Sequence, residues 1–226
     1  MSIANYLTLL RLVLSPIFLF IYTEAETLGI SAIALPYILL GLLTISELSD
    51  ACDGYFARKY NQVTDLGKIL DPMADSISRI TVFLAFTQDP VNLPIPLIFV
   101  FLYRDSVVST LRTICALKGF ALAARTSGKI KAVIQGVSAF IIVLLMFAHS
   151  RGDISSRVLQ QTSAWVVGIA ALYTFCSGIE YIYANRRYIA KLLAIPKAGA
   201  IAAKSRAYFT RLYKQKRRVL EGDLDV

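Results

Sequence analysis

Apolar residues in this chain fall into long blocks separated by short polar stretches. The blocks reach the length at which a helix crosses a bilayer, about 20 residues. Six spans can be drawn, covering about residues 7–22, 30–46, 71–86, 94–111, 130–147 and 164–184. The expected architecture is therefore all-α and integral to the membrane, a six-transmembrane-helix bundle. Residues 1–186 are expected to form one membrane domain and residues 187–226 a tail. The first apolar run has no basic n-region and no small-residue cleavage site, so it is expected to stay in place as a span.

Composition agrees with a membrane chain: 56% of the 226 residues are hydrophobic and mean hydropathy is +0.60, above a soluble domain of this size. The formal net charge of +9 is uneven. Arg186, Arg187, Lys191, Lys197, Lys204, Arg206, Arg211, Lys214, Lys216, Arg217 and Arg218 crowd the tail. On a polytopic chain such a tail suits an anionic membrane surface and not nucleic acid. Its Tyr208, Phe209, Leu212 and Tyr213 suit one face of an interfacial helix, with a frayed cytoplasmic tail as the alternative. Arg58, Lys59 and Lys68 between spans two and three, and Arg112, Lys118, Arg125 and Lys129 between spans four and five, lie on the same side as the tail. The positive-inside rule makes that side cytoplasmic, with both termini. Cys52, Cys115 and Cys176 are scattered and read as small apolar fillers; His149 reads as a loop residue. One His and no Cys cluster argue against a zinc site.

Against this background four aspartates stand out, in the frame Asp50-x2-Asp53-Gly54-x2-Ala57-Arg58-x8-Gly67-x3-Asp71-x3-Asp75. Carboxylates near lipid are costly and need a partner. Asp50 and Asp53 share a helical face, and so do Gly67, Asp71 and Asp75. Asp71-Pro72 is expected to start a helix, Asp as N-cap and Pro in the first turn. Two helices joined by a loop over about residues 59–66 would then oppose two carboxylate pairs, with Asp65 a solvated acid in that loop. Hard oxygen ligands without His or Cys favour Mg2+ or Mn2+, and four carboxylates can hold two ions that clamp a phosphoryl group. Gly54 and Gly67 allow close approach to the backbone, and Arg58 can pair with a phosphate. Solvated loop acids would explain any one of these positions, but a chance match at all eight is on the order of one in several billion per start point.

The segment resembles, without a departure, the signature of the CDP-alcohol phosphotransferases. The resemblance implies a membrane enzyme, six-helical and often dimeric, that moves a phosphatidyl or similar group from a CDP-linked donor to an alcohol and releases CMP. It implies that Asp50, Asp53, Asp71 and Asp75 ligate two divalent ions, that Asp75 is the general base on the acceptor hydroxyl, and that Asp50, Gly54, Ala57, Arg58 and Gly67 line the CDP site. The active site would face the cytoplasm, most simply across a bacterial inner membrane.

A second cluster bears on the acceptor. Arg104 and Arg112 lie eight apart on one broad side of a helix, and Lys129 and Lys131 come next, in the following loop or at the start of span five. Several cations facing the metal site call for an anionic acceptor, most simply a phosphorylated alcohol. Lys118 and Arg125 read instead as topology signals. The pattern is similar to the phosphatidylglycerophosphate synthase branch of the family, as are Asn5-Tyr6-Leu7-Thr8-Leu9-Leu10-Arg11 and Asp71-Pro72-Met73-Ala74-Asp75. This implies CDP-diacylglycerol and glycerol 3-phosphate as substrates. Asp105, Ser76 and Ala132 depart from that branch, where Glu, Lys and Thr are usual. An inositol phosphate, serine, choline or ethanolamine acceptor is the alternative within the family. A non-enzymatic cation carrier is the alternative outside it, and it would spread ionisable residues through mid-membrane instead of gathering them at one face.

Overall fold

The computed structural model describes residues 3–59, 65–117 and 126–193, with side chains over 6–52, 72–115 and 126–190. Its long elements are all helical: α1 (Ile3–Thr23), α2 (Ala34–Lys59), α3 (Asp65–Ala85), α4 (Ile95–Leu117), α5 (Thr126–Ser150), α6 (Ser156–Ala184) and α7 (Arg186–Leu193). The chain divides into two compact units, Met1–Ala184 and Asn185–Val226. Among the described helices, α1, α2, α5 and α6 are long and apolar enough to cross a membrane. The charges of α3 and α4, among them Asp75, Arg79, Arg104, Asp105 and Arg112, keep those two out of that set.

Local chemistry sets the helix ends. The Ser31 hydroxyl accepts from the Ala34 amide and the Ser155 hydroxyl from the Val158 amide, capping the N-termini of α2 and α6. At the other end of α5, Gly152 adopts φ 82°. Its amide donates to the His149 carbonyl and the Asp153 amide to the Ala148 carbonyl, a Schellman closure that calls for a residue tolerant of positive φ. His149 thus belongs to the last turn of α5, with Nδ1 3.0 Å from the Ile154 carbonyl, and is not a loop residue. In the second unit the Asn185 carbonyl accepts from the Tyr188 and Ile189 amides and opens α7. The aromatic face expected at Tyr208–Tyr213 lies outside the described residues.

The start of α3 corrects two expectations. Asp71-Pro72 does not begin a helix: α3 starts at Asp65, and Pro72 sits inside it. A proline there supplies no N–H to the carbonyl four residues back, yet the helix continues through it, because Ala74 and residues beyond it are packed into the bundle. Asp65, expected in the loop, opens α3. Cys115 is buried as a small filler should be, but Cys52 and Cys176 are exposed.

Within the first unit α1 packs against α2 and α3, α5 against α6 and α2, and α4 against α6 and α3. Away from the aspartates the core is aromatic. Phe86, fully buried, meets Phe18, Tyr22 and Phe83 edge-on at 5.7–6.3 Å, and Phe83 meets Phe101 at 4.9 Å. This cluster joins α1, α3 and α4 by shape and dispersion. Toward the aspartate end the packing turns polar: the Ser15 hydroxyl lies 2.7 Å from both the Arg11 carbonyl and the Ser78 hydroxyl, tying α1 to α3. Replacing Phe86 by Ala removes the hub of the aromatic cluster and is expected to cost about 3 kcal/mol. In detergent, F86A should melt well below the parent protein. F175A, on the exposed face of α6, should melt close to it.

Candidate active site

Side-chain contacts gather the N-terminal half of α1, the C-terminal half of α2, the middle of α3 and the start of α5 around two carboxylates. Asp50, on α2, and Asp75, on α3, turn toward each other across a guanidinium. Arg79 Nη2 lies 2.6 Å from Asp75 Oδ1 and 3.8 Å from Asp50 Oδ2. Asp75 and Arg79 are one turn apart, so α3 itself places them together. Arg79 Nη1 donates to the Ala132 carbonyl of α5 at 2.5 Å. Arg11, almost wholly buried on α1, pairs with Asp50 from the other side. The two carboxylates stay 31–40% exposed while the guanidiniums beneath them are covered, so the acids form the floor of an open site.

A second polar cluster adjoins the first. Asp105 of α4 receives Lys131 Nζ at 2.8 Å on both oxygens, Arg104 Nη1 at 3.0 Å and the Ser76 hydroxyl at 3.4 Å. Ser76 is the next residue after Asp75, and Lys131 precedes Ala132, whose carbonyl holds Arg79. The clusters therefore share two pieces of backbone, 75–76 and 131–132. Arg104 is further fixed by Gly178: a Cβ there would stand 3.0 Å from Arg104 Cγ, so glycine at that point lets α6 lie this close to α4. Arg104 Nε is buried and has no hydrogen bond among the described residues. One carboxylate against two cations leaves this cluster net positive, the sign that an anionic substrate requires.

The structure treats the site residues expected from sequence unequally. Asp50 and Asp75 are brought together, and so are Arg104 and Lys131. Arg112 lies against α6, where Nε donates to the Tyr181 hydroxyl at 3.3 Å and the guanidinium stacks on that ring at 5.3 Å. Lys129 is exposed and takes no part in the Asp105 cluster. Asp53, Gly54, Ala57 and Arg58 lie on the last turns of α2, and Gly67 and Asp71 on the first turns of α3; their side chains are outside the described residues, as are Lys118 and Arg125. Among the described residues no three acids, His or Cys form a metal shell. The donor chemistry nevertheless fits divalent cations: two hard carboxylates from different helices already converge on one positive group.

Sequence reasoning gave no site role to Arg79 or Arg11, nor to Glu47, which lines a small cavity together with Arg79. Each carried a signal: Arg11 and Arg79 are cations within apolar runs, the same anomaly that singles out Arg104, and Glu47 stands one turn before Asp50.

Comparison with known proteins bears on this arrangement. The sequence profile of the CDP-alcohol phosphatidyltransferase family matches residues 1–190. A CDP-diacylglycerol–glycerol-3-phosphate 3-phosphatidyltransferase of Bacillus subtilis is 33% identical over 192 residues, covering 81% of this chain and 95% of that protein. Proteins of the same description from Rickettsia bellii and Rickettsia typhi are 31% and 29% identical over 189 residues, covering 83% of this chain and 97–98% of theirs. With its aspartate floor, its adjoining cationic cluster and a match over most of its length, the chain belongs to the CDP-alcohol phosphatidyltransferase family.

Proposed function

We propose that this protein is a phospholipid-synthesising transferase that moves the phosphatidyl group of CDP-diacylglycerol to glycerol 3-phosphate, forming phosphatidylglycerophosphate and releasing CMP. Relatives named for this reaction align along nearly their whole length. The observation that carries the choice of acceptor is the position of the Asp105 cluster. Asp105, which holds the two cations, meets Ser76, the residue after Asp75 on α3, so a phosphate on those cations would leave a hydroxyl of the same molecule to reach the aspartates. Ser76 supplies no cation of its own at that point. Lys131 and Arg104 supply two from neighbouring helices.

In the reaction, the acceptor hydroxyl oxygen bonds to the phosphatidyl phosphorus and the bond to the CMP oxygen breaks. Asp75 takes the hydroxyl proton. Carboxylates in general are weak bases toward an alcohol, so the effect of this one rests on proximity to the attacking oxygen. Asp50, Asp53, Asp71 and Asp75 would hold two Mg2+ or Mn2+ ions. When bound, such ions supply positive charge to the phosphoryl oxygens as the bond order changes. Gly54, Ala57, Arg58 and Gly67 would line the CDP, with Arg104 and Lys131 on the acceptor phosphate and Arg112 and Lys129 at its margin. We infer further that α3 and α4 complete six spans and that residues 1–186 form the membrane domain. Both termini, the site and the basic tail 187–226 would face the cytoplasm, and the protein would act as a homodimer among membrane lipids. The bias of Lys and Arg toward one set of loops supports this orientation.

An acceptor panel tests the assignment directly. With CDP-diacylglycerol and Mn2+, CMP release should be fastest with glycerol 3-phosphate, over inositol 1-phosphate, inositol, serine and glycerol. Preference for a neutral alcohol would sink it. D75N should lower CMP release by about a thousandfold or more while the protein stays monodisperse; near-normal turnover would remove the proton-accepting role. K131M should raise KM for glycerol 3-phosphate about tenfold with KM for the lipid donor little changed. Equal changes in both would take Lys131 out of the acceptor site.

A further inference from the structure

Arg79 stands where the metal chemistry would need a cation other than itself. Its guanidinium touches Asp75 at 2.6 Å and reaches Asp50 at 3.8 Å, two of the four acids read as metal ligands. The side chain is about 10% exposed and cannot leave for bulk water without opening the bundle. On its inner side lies a small cavity of about 20 Å³, lined by Ser46, Glu47, Ser78, Arg79, Gln135 and Gly136 among others. That volume suffices for one water-sized group. Two polar atoms of its lining residues are buried without partners, Arg79 Nε and Gln135 Oε1. Glu47 enters from α2 and packs against Gly136 of α5, its Oε2 at ordinary contact distance, 3.4 Å, from where a Cβ on that glycine would stand. The lining thus includes an acid, Glu47, which precedes Asp50 on α2, and on α3 it runs from Arg79 to Val82 and Phe83, beyond Asp75 along the helix.

Resting on the metal-ligand reading above, we propose that Arg79 is a positioning residue that serves as an internal counter-ion. It neutralises Asp50 and Asp75 while the site is empty, competes with the divalent cations for them, and tilts toward Glu47 and Gln135 when the cations take its place. A guanidinium wedged between incoming divalent charge and the protein interior is repelled, and a charge that moves inward needs an anion waiting there. Glu47 is that anion, and the unpartnered oxygen of Gln135 is a further acceptor. The arrangement keeps the site assembled without metal and makes metal binding weaker, and so reversible.

Mn2+ affinity of the detergent-purified protein, read by electron paramagnetic resonance of free Mn2+, tests this without catalysis. R79M should bind Mn2+ about tenfold or more tightly than the parent, because the competitor is gone. R79K keeps a charge but loses the two-pronged reach to Asp75 and the Ala132 carbonyl, and should fall between. E47Q should weaken Mn2+ binding in the parent, and that effect should shrink by at least half when combined with R79M, since Glu47 acts through Arg79. Unchanged or weaker binding in R79M and R79K overturns the proposal, as does an E47Q effect that is the same with and without Arg79. If R79M fails to fold, R79K and the E47Q/R79K pair give the same two readings. Mn2+ that binds the parent but ignores these changes defeats the counter-ion alone. Mn2+ that does not saturate the parent, or that binds D75N equally well, defeats the metal-ligand reading and the counter-ion with it.

Discussion

Bringing two carboxylates from different helices into one site, at the edge of a low-dielectric bundle, is the constraint on which the rest of this structure depends. Like charges a few ångströms apart repel, and burial raises the cost of leaving them uncompensated. The protein answers with arginines from below: Arg11 under Asp50 and Arg79 under both acids. Those arginines in turn fix the helices. Arg79 cannot bond the Ala132 carbonyl and Asp75 together unless α3 and α5 keep their distance, and Arg11 ties α1 to α2 at the same level. The aromatic cluster at the other end joins α1, α3 and α4 by shape, with the Tyr22 hydroxyl donating to the Gln88 carbonyl at 3.2 Å. The bundle is clamped by packing at one end and by charge at the other.

The adjoining cationic cluster obeys the same logic with the signs reversed. Arg104 and Lys131 would repel each other, and Asp105 between them allows their approach. An acid inside a cationic site looks self-defeating, but it leaves net positive charge and holds both cations in known places. Sharing backbone 75–76 and 131–132 makes the two clusters one polar layer across the bundle, so a ligand spanning them meets groups whose separation is set by helix geometry and not by loops.

Much of this is legible in the sequence because the informative spacings are helical. Asp50 and Asp53 sit three residues apart on α2, and Asp71 and Asp75 four apart on α3. Helix ends are less legible. Hydropathy marks where apolar character stops, whereas backbone hydrogen bonding in α2 runs on to Lys59 and in α4 to Leu117. Asp71-Pro72 looks like a start because proline is favoured there in isolation; the packing of Ala74 and its successors outweighs one missing hydrogen bond. Arg79 is easily passed over because a cation four residues after an acid is a common surface pairing on a helix. Only the fold reveals that this pair faces inward, and that Asp50 comes to meet it.

Gly178 has a consequence beyond packing. By letting α6 press against the stem of Arg104, a residue without a side chain limits the rotamers of a long one on another helix. A free arginine carries about 2 kcal/mol of side-chain entropy. Here part of that is surrendered when the chain folds, so less would remain to be lost by any binding step that uses this guanidinium. The entropy of ordering it would then be charged to folding once and not to each binding event.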